Sequence, residues 1–181
     1  MPDKTHLKYM QQISFFFWQL CLLRESPDRI PTTPFVLALV LGVYLVIALI
    51  AVTIGRPALG LVGIVGTVIV GLIFPAALTW GLLAFKQATE RFVATYSALL
   101  GTNSIILIIL LPVNLILLNT DNESLKLLAD SVSWVCLGWW LAIAGFIYHK
   151  ATNISLIQGS AIAFVTELLG VITSVNLFPA T

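Results

Sequence analysis

Five runs of apolar residues, each long enough to cross a bilayer and nearly free of charge, constrain this chain more than any other feature. A span needs about 20 residues, at about 1.5 Å rise each, to cross a ~30 Å hydrocarbon core. Lipid offers no hydrogen bonds to the backbone, so each run is expected to close its own bonds as a helix. The runs are residues 34–54, 59–85, 93–118, 131–148 and 154–178. Gly55-Arg56-Pro57 separates the first two, residues 86–91 follow the second, and residues 119–130 form the longest polar connection. Pro75 is expected to kink the second run. The third is interrupted by Gly101-Thr102-Asn103-Ser104 and by Pro112 and Asn114, which leaves a re-entrant segment open there.

Composition agrees. Of the 181 residues, 59% are hydrophobic and only 9% are charged, where a soluble domain carries about a quarter. Mean hydropathy is +1.03. A soluble enzyme, a disordered chain and a disulfide-rich secreted module are excluded on these grounds. Net charge is +1, with no basic field to hold nucleic acid. Cys21 and Cys136 are expected near opposite faces of the membrane and therefore unbridged. No cofactor is expected, because two cysteines and two histidines supply no ligand cluster.

Residues 7–23 place Leu7, Met10, Ile13, Phe17, Leu20 and Cys21 three or four apart, the spacing of one helix face. Such a segment is expected to lie in the membrane interface as an amphipathic helix. Packing onto the cytoplasmic end of the bundle is the alternative. The expected organisation is therefore a cytoplasmic or interfacial segment, 1–31, and a five-helix transmembrane domain, 32–181. The fold class is an all-α membrane protein.

Orientation follows from Lys and Arg. Lys4, Lys8, Arg24 and Arg29 precede the first span, Lys86 and Arg91 lie in the second polar break, and Lys150 lies in the fourth. These seven share one side, against Arg56 and Lys126 on the other. The N-terminus is expected in the cytoplasm and the C-terminus outside.

Glu167 is the one acid well inside a span. A carboxylate at mid-bilayer costs roughly 3 kcal/mol on insertion scales unless it is paired, protonated or hydrated. Thr166, Thr173 and Ser160 lie on its helix, and no basic residue lies within a span to pair with it. Asn114 beside the Pro112 kink is the second polar candidate, since broken helices line ion sites in some transporters. Asn103 is a weaker one. Gly60, Gly63, Gly66 and Gly71, with Thr67 between, form a small-residue band suited to close helix packing, with Ala38, Gly42, Gly159 and Ala163 as candidate facing residues. The structural alternative for Glu167 is a satisfied group serving helix association.

The polar break Phe85-Lys-Gln-Ala-Thr-Glu-Arg-Phe92 leads into Ala94-Thr-Tyr-Ser-Ala-Leu-Leu-Gly and the prolyl sequence Ile109-Leu-Leu-Pro112. Trp139-Trp140-Leu-Ala-Ile-Ala-Gly145 and Ser155-Leu-Ile-Gln-Gly-Ser-Ala161 follow. With five spans and an N-terminal helix, this pattern resembles bacterial Yip1-like membrane proteins. It lacks the Asp-Leu-Tyr-Gly-Pro motif of the eukaryotic members. The resemblance implies a membrane-organising or partner-binding protein in a bacterial inner membrane, and it carries over no catalytic residue.

The function expected is a non-enzymatic scaffold or accessory subunit acting through helix and lipid contacts. Its partners are the bilayer and other membrane proteins or a second copy, without nucleic acid. The alternative is a small transporter or channel using Glu167 and the Asn114 kink.

Overall fold

The computed structural model describes residues 13, 15–30 and 33–179. Within them five long helices follow one another: α1 Pro34–Gly55, α2 Leu61–Phe85, α3 Phe92–Asn119, α4 Glu123–Thr152 and α5 Leu156–Leu177. All five are long and apolar enough to cross a membrane. Their connections are short, so successive helices run in opposite directions. We call the end carrying residues 86–91 and 153–155 the near end, and that carrying 56–60 and 120–122 the far end.

Helix ends are set by local chemistry. Pro34 occupies the first turn of α1, where its missing N–H costs nothing. Asn122 caps α4, its side chain accepting from the amides of Ser124 and Leu125. Asn153 ends α4 in the left-handed region, at φ 56°. Ser155 and Gln158 form a reciprocal capping box that starts α5 two residues later. The α4–α5 hairpin is thus written into Asn153-Ile-Ser155.

Two sequence expectations need correction. Residues 119–130 are not an extended polar loop, because Asn122 nucleates α4 at Glu123. The following Ser-Leu-Lys-Leu-Leu-Ala is rich in good helix formers. In addition, α3 is continuous through Gly101 and Pro112 and makes no re-entrant turn. Thr102 and Ser104 bond back to carbonyls of their own helix, so the polar interruption is satisfied internally.

Helix α3 is the central element. Its near-end half is buried without interruption from Ala94 to Thr102, and it packs against both α1 and α4. Helix α2 is the least covered span and meets the others chiefly through α5. Helices α4 and α5 cross at Gly145 and Gly159, where a Cβ on Gly145 would stand 2.9 Å from the Leu156 carbonyl oxygen. Ser160 Oγ donates to the Leu141 carbonyl at 2.9 Å across the same contact.

Part of the N-terminal segment lies outside the described residues. Residues 15–21 are helical, and Phe17, Leu20 and Cys21 are buried. The indole N–H of Trp139 donates to the Cys21 carbonyl at 2.9 Å, and Trp18 meets Trp139 edge-on. Cys21 therefore sits beside α4 at the level of Trp139, a residue one turn from Cys136, and not at an opposite face as the sequence suggested. Both thiols are buried and unbridged.

Candidate functional site

Glu167 lies midway along α5, eleven residues from its first residue, Leu156. The α4–α5 hairpin is tight, so residues equidistant from its turn face each other. That brings Trp140 of α4 to Glu167, and its indole N–H donates to Glu167 Oε1 at 3.1 Å. This is the single protein hydrogen bond to the carboxyl among the described residues. Two of the three hydroxyls expected to help are engaged elsewhere. Thr166 donates to the Ile162 carbonyl and Ser160 to that of Leu141.

The carboxyl borders a cavity of about 530 Å³ that runs from mid-bundle to the far end. Its inner end is formed by Tyr44, Gly71, Asn103, Trp140 and Glu167, one residue from each helix. Its outer end includes Arg56, Asn114, Ser133 and Ser174. The structure thus brings the two polar candidates, Glu167 and Asn114, to one cavity, and adds Asn103. Asn114 also lies close to the α1 terminus, its Nδ2 3.8 Å from where a Cβ on Gly55 would stand. At the outer end Arg56 reaches the Phe178 carbonyl at 3.4 Å, and the Phe178 ring lies over Gly66.

The small-residue band is unevenly packed: the Phe178 ring lies close over Gly66, while the other positions are not closely covered by another helix. A Cβ on Gly60 would meet nothing within 4 Å, and one on Gly63 would meet only Leu59. Thr67 and Gly71 line the cavity. Thr67 Oγ1 is buried without a protein partner. Gly71 is four residues before Pro75, whose missing N–H leaves the Gly71 carbonyl without its helical donor. The band therefore adds polar backbone and hydroxyl groups to the cavity wall and leaves room for an occupant.

Toward the near end the cavity closes. A space of about 20 Å³ lies beneath Glu167, bounded by Tyr96, Tyr148 and Thr166 among others. That volume admits one water. Below it Tyr96 donates to the Leu72 carbonyl at 2.9 Å, and the Thr79 and Tyr148 hydroxyls are 3.0 Å apart. Leu83 is fully buried beyond that layer, and Ile143 and Ile147 are fully buried on α4 between Trp140 and Tyr148.

Sequence reasoning found Glu167 and Asn114 but missed Tyr44, Trp140 and Arg56 as their neighbours. The hairpin arithmetic would have found Trp140: it lies 14 residues before Ile154, and Glu167 lies 13 after it. Nothing local marks Tyr44, which reaches the site only through the packing of α1 on α3. Among the described residues no three His, Cys, Asp or Glu side chains gather to hold a metal ion. No family model, curated relative or solved structure matches this chain.

Proposed function

We propose that this is a non-enzymatic, multi-pass membrane protein that admits a small solute to a binding site at mid-bilayer, as a small transporter or channel does. One observation carries the reading: the lone intramembrane carboxyl, Glu167, borders a 530 Å³ cavity that also collects Asn103, Asn114 and Arg56. Small-molecule sites have about 300–1,000 Å³, mostly apolar walls and a few convergent polar groups, and they occur between the helices of bundles. A carboxyl serving helix association alone needs no such space.

The orientation we propose is N-terminus in the cytoplasm and C-terminus outside, supported by the seven-to-two distribution of Lys and Arg. The cavity then faces outward. The proposed setting is a bacterial inner membrane, with the N-terminal segment entering from the cytoplasmic interface and Phe17 and Leu20 as its anchors. Kinship to Yip1-like proteins is proposed on the sequence motifs. A scaffold role remains the second reading, supported by the slight coverage of α2 by the rest of the chain. It predicts that α2 crosslinks to a second protein or a second copy.

The test uses single cysteines in a Cys21→Ala, Cys136→Ala background, in sealed membranes. A membrane-impermeant thiol reagent is expected to label Ser133→Cys from outside and to spare Ile69→Cys on the lipid side of α2. Equal protection of both would remove the solute-accessible cavity. Uptake into liposomes is then expected to fall at least tenfold in Glu167→Gln.

A further inference from the structure

The proposed solute can be narrowed by the chemistry at the inner end of the cavity, an inference that rests on the reading above. Four features meet there. Glu167 is the one acid, and it has one protein hydrogen bond, from Trp140 to Oε1. Its other oxygen therefore has no protein donor among the described residues. Tyr44 presents its ring and a hydroxyl that bonds no described group, and it borders both the large cavity and the small space below. The Trp140 indole forms a second aromatic wall, and Tyr96 and Tyr148 lie in the floor. The charged groups bordering the cavity are Glu167 and Arg56. Arg56 caps the C-terminal end of α1, twelve residues beyond Tyr44, or about 18 Å along a helix. It is too distant to neutralise the carboxyl directly.

A single acid in a low-dielectric cavity, walled by aromatic faces, is matched by one kind of ligand. The ring quadrupole attracts a cation over its face, and quaternary and alkylated ammonium groups are recognised in such aromatic surrounds. An inorganic cation would need several oxygen ligands in place of its water, and the aromatic faces of Tyr44 and Trp140 that border the inner end supply none. An anion would meet the carboxyl without a nearby base. We infer that the Glu167 site binds a small organic cation, an ammonium carrying apolar substituents, with the charge against Glu167 and the substituents against Tyr44 and Trp140.

The experiment compares three ring compounds of related size on the full-length protein in mild detergent, by titration calorimetry. They are phenyltrimethylammonium, its neutral isostere tert-butylbenzene, and benzenesulfonate. The cation is expected to bind at least tenfold more tightly than the neutral isostere, and the anion not at all. Glu167→Gln is expected to lose at least tenfold in affinity for the cation while leaving the neutral compound unchanged. Tyr44→Leu is expected to lose three- to tenfold, and Trp140→Phe, which keeps a ring and frees Oε1, less than threefold.

Equal binding of cation and neutral isostere by the unaltered protein would overturn the inference. So would unchanged cation affinity in a folded Glu167→Gln variant. If that variant does not fold, the charge series on the unaltered protein decides. Should Ser133→Cys label from outside while the cation shows no preference, only the ligand class falls. Should the cysteine stay protected, the solute-accessible cavity falls with it.

Discussion

Gly145 shows how much a single residue decides in a membrane bundle. An added methyl there would meet backbone atoms of Leu156 and Ser160 at 2.9 Å, atoms held by the first turns of α5. Such overpacking costs about 2 kcal/mol. Gly145→Ala is therefore expected to lower the thermal midpoint of the detergent-solubilised protein by several degrees. Gly42→Ala, where nothing lies within 4 Å and alanine is the better helix former, is expected not to lower it. Cys21 offers a second residue-scale test. Burial pushes its thiol well above the ordinary range, so at neutral pH it carries far less of the reactive thiolate than an exposed cysteine does. An ordinary thiol ionises near pH 8.5. Maleimide labelling of the folded protein at Cys21 is expected to stay negligible through pH 9 and to become complete after denaturation in SDS. Glu167 was legible at this scale because an acid amid apolar residues is conspicuous. Gly145 was not, since a glycine in an apolar run looks alike whether it faces a helix, a cavity or lipid.

At the scale of elements, helix boundaries depend on a few polar side chains. Asn122 and Ser155 each satisfy amides that would otherwise lack partners. Replacing either by Ala is expected to cost about 1 kcal/mol, read as a lower midpoint in a thermal melt. Tyr96 ties α3 to α2 at Leu72, three residues before the helix-breaking Pro75. Tyr96→Phe is expected to cost about 1 kcal/mol, the net worth of one hydrogen bond. The number and approximate extent of the spans could be read from hydropathy. The start of α4 could not, because residues 123–130 are polar enough to look like a loop while their propensity and cap favour helix.

The whole molecule is asymmetric along its axis, open from mid-depth to the far end and closed by tyrosine and aliphatic layers toward the near end. If all five apolar helices cross, the odd number puts the two chain ends on opposite sides, as proposed above. Reporter fusions at residues 1 and 181 are expected to report from different compartments, the N-terminal one from the cytoplasm. Signals from the same side would require an even number of spans. The charge tally that supports the orientation was available from sequence alone. The polarity of the cavity was not, because it depends on which faces of five helices turn inward.

The sequence by itself determined that this chain is helical, that it carries five segments able to cross a bilayer, and that one acid lies deep within the last. Those are consequences of chain length, backbone hydrogen bonding and local apolarity. Tertiary structure alone decided that Glu167 meets Trp140, 27 residues away, and that Tyr44, Asn103 and Asn114 share its cavity. In water an apolar stripe reveals which side of a helix is buried. In a bilayer the lipid is as apolar as the protein interior, so that pattern loses its contrast, and the inward face emerges only when the helices pack.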